Sequence, residues 1–269
     1  MLRYFIQLSY CGAAYHGWQI QPHDNSVQET LEQALAVLLR TKVNVVGAGR
    51  TDTGVNARMM VAHIDVEAPI ANVSRFVHSL NGMLPRDIAI ERVWPVPDGS
   101  HARFDAVSRT YKYFIHTTKS PFLYDKSWYT RPGLDFAAMN EAASCLLRHI
   151  DFTSFSKLHT DVKTNNCRVT RAEWTPLPVE GCHVFTITAD RFLRNMVRAV
   201  VGTLVEVGRH KIDVAQFERI IEARNRNVAG TSMPGHALYL WEITYPDAIT
   251  SGIEVLDGGL SEGFAVDVP

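Results

Sequence analysis

Apolar and polar residues alternate over residues 2–9, the two-residue period of a strand with one covered face. Val27, Leu31, Ala34, Leu35 and Leu38 then recur at the helical period, and Ser26 and Glu29 have the spacing of a capping box at the helix start. A β-branched run, residues 43–46, predicts a strand that breaks at Gly47 and Gly49. A second strand is expected over residues 59–66. Val73, Phe76, Val77 and Leu80 predict another helix, stopped by Asn81-Gly82, and residues 88–96 read as a strand. Residues 121–132 look like a connection. Beyond it come a helix over 135–147, a loop at 151–157 and a polar, mobile segment at 158–166. A hairpin of strands 169–177 and 183–188 follows, turning at 178–181. Phe192, Leu193, Met196, Val197, Val200, Val201, Leu204 and Val205 predict a helix with a broad apolar face, capped by Gly208. A helix over 214–223 and a strand over 238–245 complete the pattern, and the tail from Asp247 is acidic and unpatterned. Several strands follow one another without an intervening helix, which favours an α+β fold with a mainly antiparallel sheet over a doubly wound parallel one.

The 269 residues allow one large domain or two ordinary ones, and 46% hydrophobic content can fill a sizeable core. With 20% charged residues and a net charge of -1, the chain is no generic nucleic-acid coat. A polyanionic partner needs a local basic surface. No signal-peptide pattern and no apolar run of membrane-spanning length is present, so no membrane partner is expected. Cys11, Cys145, Cys167 and Cys182 form no Cys-x-x-Cys pair. They read as reduced thiols of a cytoplasmic protein rather than as metal ligands or disulfides.

The candidate chemistry sits between the second and third strands. Gly47-Ala48-Gly49-Arg50-Thr51-Asp52-Thr53-Gly54-Val55 displays one carboxylate, Asp52, at a glycine-bounded corner. A polar turn whose Asp satisfies its own backbone would look the same locally. The loop Tyr10-Cys11-Gly12-Ala13-Ala14-Tyr15-His16-Gly17-Trp18-Gln19 offers either core-facing aromatics or an aromatic wall beside a ligand, with Trp18 and Gln19 as candidate contacts. In residues 101–115, Arg103, Arg109 and Lys112 interleave with Phe104, Tyr111 and Tyr113. Cations hold phosphates and aromatic faces stack on bases, so this suits a nucleotide; an edge strand with its basic residues facing water is the plainer alternative. Arg194 and Arg198, at i and i+4 on the predicted helix, share a side. Arg198 lies inside an apolar run, where a guanidinium needs a carboxylate or phosphate.

Asp52-Thr53-Gly54 also invites an aspartic-protease reading, but that mechanism needs two carboxylates, and no second Asp-Thr-Gly or Asp-Ser-Gly exists. Gly47-Ala48-Gly49 lacks the Gly-Lys-Ser/Thr ending of a phosphate-binding loop, and a glycosidase again wants paired carboxylates. One acid beside an arginine, with basic and aromatic surroundings, fits a carboxylate nucleophile acting on a nucleotide.

The Gly47–Val55 stretch resembles the signature of the tRNA pseudouridine synthase A family. Tyr10 to Gln19, residues 101–113, Phe192-Leu193-Arg194-Asn195-Met196-Val197-Arg198 and Ala237-Leu238-Tyr239-Leu240 are similar to its other blocks, in the family's order. Cys11, Asn56, Ala199 and Ala237 depart from the residues usual there, and none removes a charged catalytic group. The resemblance implies conversion of uridine to pseudouridine at positions 38, 39 and 40 of the tRNA anticodon stem-loop. It implies two ferredoxin-like or RRM-like halves joined around a central cleft: residues 1–120 with the Asp52 loop, residues 121–246 with the Arg198 helix, and a tail at 247–269. It also implies a homodimer in which one tRNA touches both subunits, and no cofactor or metal. Asp52 matches the nucleophile and Arg198 its partner. Arg50 would fill the gap left by a flipped nucleotide, and Tyr111 would stack on the uracil and could accept its C5 proton. Arg103, Arg109 and Arg194 are further substrate-binding candidates. A tRNA-binding protein with a dead site would share the basic and aromatic surface, but a binder has no need of the carboxylate.

Overall fold

The computed structural model describes residues 1–157 and 164–251. The described residues form two compact units: Met1–Val107 with residues 240–251, and the described part of Ser108–Tyr239.

The first unit contains β1 (Leu2–Tyr10), α1 (Val27–Leu39), β2 (Val46–Gly47), β3 (Asn56–Val66), α2 (Val73–Met83) and β4 (Ile88–Pro95). β1 lies antiparallel between β4 and β3, and β2 pairs with β3. This is the β-α-β-β-α-β succession of a ferredoxin-like unit. Phe5, Ile6, Leu8, Leu31, Leu35, Met60, Ile64 and Leu80 are fully buried and form its core.

Local chemistry explains where the elements depart from the sequence pattern. Residues 43–45 do not join the sheet, although Val43 and Val45 are buried. The side chains of α1 satisfy that backbone instead: Gln28 Nε2 donates to the Val45 carbonyl at 2.9 Å, and Val45 N–H donates to Glu32 Oε1 at 2.9 Å. Asn81-Gly82 does not stop α2. The Asn81 amide makes a pair of hydrogen bonds with the backbone of Ile90, and the helix runs on until Leu84, which precedes Pro85 and is extended. The tail is not wholly unpatterned. Asp247–Thr250 forms a short helix, with Ile249 buried and its carbonyl accepting from Trp94 Nε1 at 3.0 Å. The rest of the acidic tail and residues 158–163 of the polar segment lie outside the described residues.

The second unit contains β5 (Ser108–His116), β6 (Trp128–Tyr129), α3 (Phe136–Cys145), β7 (Val169–Pro176), β8 (Cys182–Ala189), α4 (Met196–Gly208) and α5 (Val214–Glu222). The chain passes back to the first unit along β9 (Leu238–Thr244). β8 lies antiparallel between β5 and β7, and β6 joins β5 in parallel. The α+β class with mainly antiparallel strands therefore holds in each unit. Gly208 ends α4, but not to supply a left-handed cap. A Cβ there would stand 2.4 Å from Met139 Sδ of α3, so the glycine permits close helix packing, and His210 takes the positive φ of 54°. Among the described residues, no helix is long and apolar enough to cross a membrane, and no cluster of His, Cys, Asp and Glu could hold a metal.

Candidate active site

The Asp52 corner is held by the loop that follows β1. Trp18 N–H donates to the Thr51 carbonyl at 3.2 Å, and Gly54 N–H donates to the Tyr15 carbonyl at 3.3 Å. The Tyr10 and Thr51 hydroxyls are hydrogen-bonded at 2.8 Å, and Gly12 N–H donates to Asn56 Oδ1 at 2.8 Å, both in buried surroundings. Between these ties, Val55 N–H closes a turn onto the Asp52 carbonyl at 3.1 Å, with Gly54 at φ 74° in the third position, where a type II turn needs it. Two other glycines allow the close approach. Gly17 has φ 95°, and a Cβ on it would stand 2.3 Å from the Thr51 carbonyl oxygen; a Cβ on Gly47 would stand 2.6 Å from the Trp18 indole. Asp52 is half-buried on this support, and Arg50 is exposed on the same loop.

Trp18 is buried at 2% exposure against Gly47 and the Tyr10 ring, and Tyr10 and Tyr15 are buried with it. These aromatics back the corner; the expected aromatic wall facing a ligand is not what they form. Gln19, next in the chain, is exposed. Asn56, one of the departures noted in the sequence, keeps a structural task through its bond to Gly12.

The second unit assembles the other set. Tyr111 lies on β5 opposite Ile187, and its ring meets Phe192 edge-on at 5.0 Å and 82°. Arg109, opposite Ala189, donates from Nη1 to the Asp190 carbonyl at 2.8 Å. Tyr113 shares the face of Tyr111. Burial pushes its phenol up, and the Arg198 charge acts against that rise. Lys112 is buried, so β5 is not a strand with all its basic residues turned to water.

Arg194 and Arg198 do not share a helix. α4 begins only at Met196, because Asn195 takes a left-handed φ of 66° and Met196 N–H turns back to the Leu193 carbonyl at 3.1 Å. Arg194 is exposed in that preceding turn. The apolar pair Phe192-Leu193 extended the helical pattern misleadingly. Arg198 falls in the first turn of α4, where the helix dipole disfavours a cation unless an anion is near. Its Nε donates to the Met233 carbonyl at 2.5 Å, and its own carbonyl accepts from Met233 N–H at 3.1 Å. Arg226 braces that segment through the Gly230 carbonyl at 3.1 Å and Ser232 Oγ at 2.9 Å. A shallow pocket of about 460 Å³ lined by residues 128–134 and Arg209 contains none of the sequence-predicted site residues.

Comparison with known proteins decides the class. A family model described as tRNA pseudouridine synthase matches residues 7–105 and 142–246. The chain belongs to that family. It is 57% identical over 93% of its length to tRNA pseudouridine synthase A of Parabacteroides distasonis, covering 98% of that relative. It is 56% identical over 91% of its length to the protein of the same name from Porphyromonas gingivalis, covering 98% of it. Against the Bacillus subtilis relative, also named tRNA pseudouridine synthase A, identity is 39% over 91% of this chain and 99% of that one. The synthase is thus an enzyme that isomerises uridine to pseudouridine in tRNA. Both the Asp52 loop and the Arg198 turn fall inside the matched residues, whereas Tyr111 lies between the two matched segments.

Proposed function

We propose that this synthase acts on uridines 38, 39 and 40 of the anticodon stem-loop, with Asp52 as the nucleophile. The observation that carries the reading is the Asp52 corner, a half-buried carboxylate on a turn tied down on both sides by the loop after β1. A reacting group gains from such a support because little ordering remains to be done when substrate arrives.

In this reading the target nucleotide leaves the stack, and Arg50 occupies the space it vacates. Asp52 attacks the nucleotide, at the base or the ribose carbon. The N1–C1′ glycosidic bond breaks, the uracil turns, C5 bonds to C1′, and the bond to Asp52 breaks again to return the free carboxylate. The C5 proton is lost, with Tyr111 as the candidate acceptor, and N1 ends protonated. Atoms and electrons balance within the substrate, so the reading requires no cofactor. Arg198 is the partner of the Asp52 carboxylate. Arg103, Arg109, Arg194 and Gln19 contact tRNA, and Trp18 contributes through the corner it supports. The enzyme works as a cytoplasmic homodimer in which each tRNA touches both subunits, residues 1–120 supplying the Asp52 half and 121–246 the Arg198 half.

The test uses purified protein and unmodified tRNA transcripts carrying uridine singly at 38, 39 or 40. Pseudouridine mapping should find product at each of the three. Product only at uridines outside the anticodon stem-loop would overturn the assignment of sites.

A further inference from the structure

The loop before β5 carries an exposed phenylalanine on a support built from the core outward. Phe104 is 73% exposed, a large apolar face turned to water. Its ring lies on His101 at a centroid distance of 4.2 Å. His101 meets His63 at 4.7 Å, and His63 stacks on Phe5 at 6.1 Å. Phe5 is fully buried in β1 and His63 is 4% exposed in β3. Four rings thus form a chain of contacts, one stacked, one edge-on and one tilted, that starts in the sheet and ends at the surface.

The loop is locked as well as stacked. His63 Nδ1 accepts from Ala102 N–H at 3.1 Å, and His101 Nδ1 accepts from Arg103 N–H at 3.1 Å. His101 N–H donates to Asp105 Oδ2 at 2.7 Å, and Asp105 N–H returns to the His101 carbonyl at 3.1 Å. The Tyr245 hydroxyl holds the Ala102 carbonyl. Both imidazoles therefore act as acceptors, and burial keeps them neutral: His63 is held down to about 4 and His101 is lowered in the same sense. A rigid loop loses little entropy on binding, and it has no packing reason of its own to expose a phenylalanine.

We propose that the exposed ring of Phe104 is a stacking platform for an unpaired base of the tRNA. Arg103 stands with its guanidinium 5.8 Å from the same ring, and it would engage the adjoining phosphate. The base would be the fifth ring in this chain of contacts. His63, beneath this loop, lies six residues along β3 from Ala57 at the Asp52 end, roughly 20 Å at the rise of a strand. The proposal assigns Phe104 to tRNA affinity and not to the bond-breaking step. The proposal rests only on tRNA being the substrate, and it stands or falls separately from the role of Asp52.

The test compares Phe104→Ala, Phe104→Leu and Phe104→Trp with the wild type, using unmodified tRNA transcript and measuring KM, kcat and oligomeric state by light scattering. Phe104→Ala should raise KM on the order of tenfold, as expected for one lost base–aromatic stack, with kcat unchanged. Phe104→Trp should restore KM to within about threefold, and Phe104→Leu should not, because leucine keeps the apolar bulk without the flat face. An unchanged KM in Phe104→Ala, or full function in Phe104→Leu, would refute the stacking role. A change of oligomeric state in Phe104→Ala would refute it too, by assigning the exposed ring to contact between copies of the chain. Loss of kcat with KM unchanged would likewise contradict it.

Discussion

The Tyr10 and Thr51 hydroxyls share a buried hydrogen bond of 2.8 Å, one residue before Asp52. β1 thereby fixes the loop that carries the candidate nucleophile. Phe at position 10 keeps the ring but removes the hydroxyl and leaves Thr51 Oγ1 without this partner. Tyr10→Phe should cost about 1–2 kcal/mol of stability in urea denaturation. It should also lower kcat more than it raises KM, because the loosened residue belongs to the chemical step.

The glycines of the corner separate steric need from simple flexibility. Gly17→Ala places a Cβ at 2.3 Å from a backbone oxygen at a φ of 95°, and both terms oppose it. It should destabilise the fold by about 3 kcal/mol or more and abolish turnover. Gly49→Ala is the control. Nothing lies within 4 Å of its added Cβ, so thermal unfolding should stay within about 0.5 kcal/mol of wild type.

How much of this was legible beforehand follows from where each signal lives. Strands β1, β3, β4, β7 and β8 and helices α1, α2, α3 and α5 came from periodicity, because each buries one face over enough residues to leave a pattern. The start of α4 did not, since Phe192 and Leu193 are apolar for contacts outside the helix: Phe192 meets Tyr111, and Leu193 is buried in the preceding turn. The brevity of β2 was hidden because Gln28 and Glu32, far away in sequence, take over its hydrogen bonds. Asp52 stood out as a lone acid in a glycine-rich turn. Its supports Tyr10, Gly17 and Asn56 were not marked as such, since closeness across 30 to 45 positions leaves no local trace. The chain of ring contacts Phe5, His63, His101 and Phe104 was invisible for the same reason, although His63 inside an apolar strand is the one signal that could have raised it.

Arg198 should be sensitive to a residue that never reaches it. A Cβ on Gly202 would fall 1.8 Å from the Thr231 carbonyl oxygen and push away the segment whose Met233 backbone holds Arg198. Gly202→Ala should reduce kcat by about tenfold or more, with tRNA affinity measured by filter binding changed less. Equal losses in both would point to general unfolding, which a thermal melt detects.

Acid should weaken the first unit through His63. Burial, with the Arg3 and His101 charges adding to it, holds the folded imidazole down to about 4 from an ordinary 6.5. Between those values the unfolded chain binds more protons than the folded one. The contribution is complete above pH 6.5 and is lost as the pH falls to about 4, on the order of 2–3 kcal/mol. His101 is lowered by burial and adds in the same direction, and burial lowers His116 and His183 likewise in the second unit. Asp65, lowered by its hydrogen bonds from Arg3, loses its share only at still lower pH. Urea melts across this range should show a shallower acid decline for His63→Asn, whose side-chain oxygen can still accept from Ala102.

The most direct test of the central claim is single-turnover pseudouridine formation by Asp52→Asn on unmodified tRNA. The substitution keeps the shape of the side chain and removes its charge. Product formation should fall at least about a thousandfold while tRNA binding stays near wild type. Turnover at the wild-type rate would contradict the assignment of Asp52 as the nucleophile.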